Sequence, residues 1–320
     1  MSRPITSVPP SGPLHLGHFG GALAPFVTLQ SGSDTAFLAV ADLHLMAPRA
    51  NRAVTGAVPD SAASLVAECL AAGVDADRCV FYRQSEVPEI ALLGALLGNL
   101  VTVDDLLPQP GYIRRTPAAG GSPSLGMLAW PVLEAADIVG TGATHVAIGA
   151  GNAGHMEICR LLLNRLRKEW DIEVPVPDVL VGAVDLPGLD GARKMSRSRG
   201  NCLLLGADEP TLRTSVRSMA TWSECGDSVP AAYLAALGLP AEATRVTRGL
   251  TDGTMSAEAA RELVLAAVLT HIAPVGRRAR ELKDDRGRLD GLLTAGTERV
   301  RDLADSALRR LRRGLGLTRA

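Results

Sequence analysis

The sequence predicts an α/β fold, a parallel sheet with helices on its faces, followed by an all-helical C-terminal part. Three observations predict it. Residues 1 to about 206 alternate short apolar runs with helical patterns, and that alternation implies parallel strands joined by crossover helices. Residues 207–320 carry helical periodicity alone. The charge balance also changes sign there: residues 1–208 hold 15 Lys+Arg and 20 Asp+Glu, whereas 209–320 hold 18 and 14. An open parallel sheet binds its ligand in the crevice beyond the carboxyl ends of its strands.

Taken in order, Ile5–Val8 reads as the first buried strand. Pro9 to Pro13 forces a turn, because proline fixes φ and glycine permits what other residues cannot. A helix is expected from Leu14 through Leu29, opening on His15-Leu16-Gly17-His18. A strand, a tight turn and a helix start aim backbone N–H groups at one spot, which suits a phosphate. Two imidazoles three residues apart share a helix face and can donate to phosphate oxygens, and Gly17 leaves room for a flat ring or ribose. Ala36–Ala41, Val80–Tyr82, Val146–Ile148 and Val179–Val184 read as further strands, with helices over Ser61–Ala72 and Glu86–Leu97. Beyond residue 207, helices are expected over Ala257–Ile272 and Arg277–Lys283, and a long one from near Thr297. Glycine-rich punctuation falls at Gly111–Gly121 and Gly188–Gly200.

The second glycine-rich segment carries a cation. The chain has three lysines, Lys168, Lys194 and Lys283, against thirty arginines. Where arginine is the default, a lysine inside a Ser/Arg/Gly loop points to a need for a compact, flexible point charge. Lys194 and Arg197, flanked by Met195, Ser196 and Ser198, suit a transferring polyphosphate on a loop able to move. The bland alternatives are a chance histidine pair and a solvated basic loop.

Composition bounds the rest. The 320 residues are 47% apolar, 21% charged and only 3% aromatic, with a net charge of −1, the profile of a globular core built from Leu, Val and Ala. No apolar run reaches the roughly 20 residues of a membrane span, and no signal peptide leads the chain, so a cytoplasmic protein is expected. Cys69, Cys79, Cys159, Cys202 and Cys225 have no metal-binding spacing and read as reduced core residues. The run Arg309-Arg310-Leu311-Arg312-Arg313 suits RNA or a solvated helix face.

The two motifs, HLGH and KMSRS, lie about 180 residues apart. They resemble the HIGH and KMSKS signatures of class I aminoacyl-tRNA synthetases. Pro10-Ser11-Gly12, Ala39 to His44, Gln84 to Pro88 and Pro131 to Ile138 (PVLEAADI) are similar to the tryptophanyl-tRNA synthetase family, as is the stretch Thr297 to Leu317. The resemblance spans nearly the whole chain. It implies a Rossmann-like catalytic domain over residues 1–206 and a helical tRNA-binding domain over 207–320. It implies activation of tryptophan or a similar acid with ATP and Mg²⁺, then transfer to tRNA, by a homodimer. His15, His18, Lys194 and Arg197 would act on the phosphates, with Mg²⁺ sharing the charge. Pro10, Ser11, Gly12, Gly17, Gly149, Met195, Ser196 and Ser198 would frame the nucleotide. Ser7, His44, Trp130, Glu134, Asp137, Asn152 and His155 would surround the acid, with Asp137 accepting the indole N–H.

The chain also departs from that family. Trp130 stands in place of a tyrosine that helps hold the α-ammonium, and Glu134 in place of an apolar residue. Gly149 to His155 reads GAGNAGH against a pattern close to G-x-D-Q-x-x-H, so Gly151 and Asn152 replace an acid and a glutamine. Three readings follow: an ordinary but divergent synthetase, a paralogue using another acid or a non-tRNA acceptor, and a non-catalytic tRNA-binding relic.

Overall fold

A computed structural model describes residues 2–47, 58–108, 124–182 and 186–318. Five strands form one sheet, β1 (Pro4–Val8), β2 (Ala36–Val40), β3 (Cys79–Arg83), β4 (His145–Ile148) and β5 (Asp178–Val181). Their order is β3-β2-β1-β4-β5, and every pairing is parallel. Ile5 lies opposite Phe37 and Val146. The central strands are buried on both faces, as crossover helices require.

Helices follow in chain order. They are α1 (Leu16–His18), α2 (Ala24–Ser31), α3 (Asp42–Met46), α4 (Val58–Ala71), α5 (Pro88–Leu97), α6 (Val103–Leu106), α7 (Leu125–Leu128), α8 (Trp130–Thr141) and α9 (Ala153–Trp170). After residue 206 come α10 (Glu209–Arg217), α11 (Val229–Ala236), α12 (Pro240–Thr251), α13 (Ala257–His271), α14 (Ala273–Asp284) and α15 (Arg286–Gly314). The expected all-helical character beyond residue 207 is present. By length and composition alone Ala257–Asp284 would cross a membrane. Here its apolar residues, Val264, Val268, Ile272 and Leu282 among them, pack into the core.

Alternate strand residues feed two apolar layers. On one face Val8, Leu38, Val40 and Phe81 meet Leu65 and Val66 of α4 and the helices after residue 206. On the other, Ile5, Phe37, Ala39 and Tyr82 meet α5, α8 and α9. Helix α15 serves both layers, Leu289 and Leu293 on one side, Val300, Leu308 and Leu311 on the other. It crosses the edge strand β3 so closely that a Cβ on Gly296 would lie 1.9 Å from the Phe81 carbonyl oxygen. The Thr297 hydroxyl accepts the Arg83 N–H at 3.2 Å, satisfying a donor on that edge.

Several expectations shift. The helix read from Leu14 to Leu29 is interrupted by a π-helical turn, Phe19–Leu23, a feature that helical periodicity does not announce. The last helix starts at Arg286, not near Thr297, because Asp285 caps it by accepting the Arg288 N–H. Its glycines Gly287, Gly291 and Gly296 had masked the pattern. The 257 and 277 helices are close to expectation, the latter opening earlier, at Ala273. The last strand ends at Val181, and residues 183–185 and the Gly111–Gly121 punctuation lie outside the described residues. Cys69, Cys79 and Cys159 are buried and free, but Cys202 is half-buried and Cys225 exposed, so those two are not core residues.

Candidate active site

The crevice at the carboxyl end of β1 is a cavity of about 760 Å³. Its first wall is built by the turn after β1. The Ser11 N–H donates to the Pro9 carbonyl at 2.8 Å, and Gly12 sits at φ +118°, where a side chain would be strained. Leu14 is buried, and its N–H donates to Oε2 of Glu68 on α4 at 2.6 Å. Leu16 N–H donates to the Leu203 carbonyl and Leu205 N–H to the Leu14 carbonyl, both at 2.9 Å. The histidine-bearing turn is thus zipped to the segment that follows the lysine-bearing loop.

His15 and His18 both line this cavity. Nδ1 of His15 accepts the Gly17 N–H, and Nδ1 of His18 accepts the His15 N–H, each at 3.2 Å. Two backbone donors therefore fix both tautomers and leave Nε2–H as the donor each ring can offer. Burial is the largest cause holding His15 down to about 4. Burial, then the neighbouring His15, holds His18 down to about 3, and Arg197 and Lys194 push both rings the same way. Both are neutral donors at neutral pH. The room expected over Gly17 is partly taken by the His15 ring, which would meet a Cβ there at 3.0 Å.

The opposite wall is the loop carrying Lys194, Met195, Ser196, Arg197 and Ser198, all of which line the cavity. Its backbone is tied down. Met195 N–H donates to the Leu186 carbonyl at 2.7 Å, and Ser196 N–H donates to Oδ1 of Asn201 at 2.7 Å. Asn201 in turn donates to Asp190 at 2.9 Å. Arg197 reaches across to the first wall, donating to the Ser11 hydroxyl and to the Pro13 carbonyl, the latter at 3.1 Å. Its Nη1 would lie 2.9 Å from a Cβ at Gly12. Arg197 therefore latches the two motifs together in addition to facing the cavity.

The far end is polar and aromatic. Trp130 and Glu134 stand one helical turn apart on α8, beside Ser7, His44 of α3, Gly149 and Asn152. The Trp130 ring lies 5.2 Å from His44 and 6.1 Å from His155, centroid to centroid. His155 Nδ1 donates to Glu134 Oε1 at 3.2 Å, while Oε2 of Glu134 is buried without a hydrogen-bond partner.

Asp137 is placed differently from the expectation. It does not line the cavity. Its buried carboxylate accepts the Tyr82 hydroxyl at 2.7 Å and the Gln84 amide at 2.5 Å, and burial raises its pKa to about 7. Gln84 then accepts from His44 Nδ1 at 3.0 Å, so Asp137 supports the pocket from behind through His44. Pro10 and His155 are buried and do not line the cavity, and Gly12 lies under Arg197. All the other expected residues converge on the one cavity.

Sequence reasoning missed Glu68 and Asn201. An acid amid the apolar Leu65-Val66-Ala67-Glu68-Cys69-Leu70 run was the only signal for the first. Among the described residues no cluster of His, Cys, Asp or Glu could hold a metal ion.

The sequence pattern described as class I tRNA synthetases (W and Y) matches residues 3–271. The tryptophan–tRNA ligase of Treponema pallidum (strain Nichols) is 33% identical over 99% of this chain and 98% of its own. That of Thermotoga maritima is 30% identical over 98% and 99%. Among solved structures, tryptophanyl-tRNA synthetase from Campylobacter jejuni, complexed with ADP and tryptophan, superposes with a TM-score of 0.77 at 24% identity, over 98% and 99% of the two chains. The Mycoplasma pneumoniae enzyme reaches 0.81 at 21%, over 99% and 98%. At such identities the structural likeness speaks for the fold.

Proposed function

The chain belongs to the class I tRNA synthetases of the tryptophan and tyrosine kind, and on that footing we propose that it is a ligase that activates tryptophan or a tryptophan-like amino acid with ATP and transfers it to tRNA. The observation that carries this reading is the shared cavity, in which HLGH faces KMSRS at one end and Trp130 with Glu134 stands at the other. The acid's carboxylate oxygen attacks the α-phosphorus of ATP. The bond to the bridging oxygen breaks, and pyrophosphate leaves. A hydroxyl of the terminal ribose of tRNA then attacks the acyl carbon, and AMP leaves.

No protein nucleophile is needed, so the chain's part is positioning and charge stabilisation. His15 and His18 donate Nε2–H to phosphate oxygens, while Lys194 and Arg197 take the charge that grows on the departing pyrophosphate. Ser11, Gly17, Gly149, Met195, Ser196 and Ser198 frame the nucleotide. Ser7, His44, Trp130, Glu134 and Asn152 face the acid, with Asp137 and His155 behind them. Magnesium enters as the counter-ion of the triphosphate. We divide the chain into residues 1–206 for catalysis and 207–320 for tRNA, with the arginines 309–313 of α15 on the polyanion, and we assign it a homodimer working where tRNA is charged, in the cytoplasm.

Amino-acid-dependent ATP–pyrophosphate exchange over a broad panel of acids, with and without tRNA, tests the reading. Exchange with tryptophan and charging of tRNA support it. The buried carboxylate of Glu134, with Gly151 and Asn152 nearby, favours one second reading, a paralogue that uses a different acid or acceptor. Exchange restricted to another acid would select that reading. No exchange alongside tRNA binding would mark a relic.

A further inference from the structure

The cavity is electrically polarised along its length. At the nucleotide end stand Lys194, Arg197 and the two neutral imidazole donors. At the other end the ionisable side chains on the wall are Glu134 and His44, with Asp137 one turn further along α8 behind them. Glu134 is largely buried. Among the described residues its one hydrogen-bond partner is His155, which engages Oε1 alone. A carboxylate oxygen held out of water with no donor is costly, and it stands one helical turn from the Trp130 indole, whose face attracts cations.

We propose that Glu134 is the specificity-determining residue for a cationic group on the acid. The ammonium of the substrate pairs with Oε2 of Glu134 against Trp130, while the substrate's carboxylate points to the Lys194 end. This rests on the adenylation reading of the same cavity and deepens it. A zwitterion aligns with the field of the cavity, negative end toward the cations and positive end toward Glu134. An acid lacking the amino group meets a bare carboxylate and is rejected by like-charge repulsion. Glu134 thus selects for a cation at this distance from the carboxylate and against aryl-alkanoic acids.

The test compares the wild type with Glu134→Gln, which keeps the shape and an acceptor for His155 but removes the charge. Calorimetric binding is measured for L-tryptophan, for tryptamine, which keeps the cation and lacks the carboxylate, and for 3-(indol-3-yl)propanoate, which does the reverse. Exchange is measured with L-tryptophan in parallel. The wild type should bind both ammonium ligands at least tenfold more tightly than the propanoate. Glu134→Gln should weaken the two ammonium ligands by about 10- to 100-fold, the worth of a charged hydrogen bond, without weakening the propanoate. The KM for tryptophan should rise by a similar factor while the KM for ATP stays put.

Equal weakening of all three ligands, no change in any, or a wild type that binds the propanoate as well as tryptamine would each overturn the proposal. The two readings fail separately. Absent exchange with every acid of the panel, alongside Glu134-dependent tryptamine binding, would sink adenylation and leave the cation site standing. Robust tryptophan exchange indifferent to Glu134→Gln would do the opposite.

Discussion

Nζ of Lys283 lies 2.7 Å from Oε1 of Glu68. Oε2 of the same carboxylate holds the Leu14 N–H, one residue before His15. One buried carboxylate therefore joins helix α14 to the turn that carries His15 and His18. Of the three lysines, Lys283 had no role legible in the sequence, and its partner shows what it does.

Removing Lys283 leaves the Glu68 carboxylate buried and half-compensated. Lys283→Met should lower stability by about 1–3 kcal/mol and raise the KM for ATP more than that for the acid. Lys283→Arg should recover part of both. Thermal unfolding and exchange kinetics on the same preparations check this. An unchanged KM ratio would confine the pair to a structural role.

Lys194→Ala should lower exchange by about 10²–10³-fold, the usual loss for one preorganised charge at a transition state, with thermal unfolding unchanged. A rate close to wild type would remove the role assigned to this side chain.

Burial holds His15 and His18 below the ~6.5 of an unfolded imidazole. As pH falls the unfolded chain therefore takes up protons first. The stability these rings contribute is full above about pH 6.5 and is lost as pH drops toward 4 and then 3. His18→Asn should flatten the fall in thermal stability over that window.

Asp137 works in the opposite sense. Its carboxyl, raised to about 7, binds its proton more tightly in the folded chain than the ~3.9 of an unfolded aspartate. It withdraws stability as pH rises from about 4 to 7. The unfolding temperature of Asp137→Asn, relative to wild type, should improve with rising pH across that interval. A constant difference would contradict the shift.

Gly296→Ala would place a methyl group 1.9 Å from the Phe81 carbonyl oxygen. Backbone lies on both sides, so helix α15 must lift from β3. The expected cost is about 1–3 kcal/mol or more, read as a fall in thermal stability, while Gly287→Ala, which meets nothing within 4 Å, should be neutral or stabilising.

The parts legible in the sequence were those whose signal is local. The apolar run at Ala36–Val40, the Pro/Gly turn before His15 and the odd lysine at 194 each announce themselves within a dozen residues. The illegible parts are partnerships across the fold. Nothing near Glu68 names Leu14 or Lys283, and nothing near Asp137 on α8 names Tyr82 of strand β3. The π-helical turn at Phe19–Leu23 keeps the apolar spacing of an ordinary helix and so leaves no trace. The start of α15 was hidden because Gly287, Gly291 and Gly296 thin out its apolar stripe, and only Gly296 is needed for contact with β3.

The outer edge of the sheet is sealed by a helix some two hundred residues downstream of β3. A nascent chain bearing both signatures still lacks the brace over Phe81 and Arg83 until residues 286–314 have emerged and docked. Closure of the sheet's outer edge is therefore a late event in synthesis, governed by a contact between distant parts of the chain and not by the strands themselves.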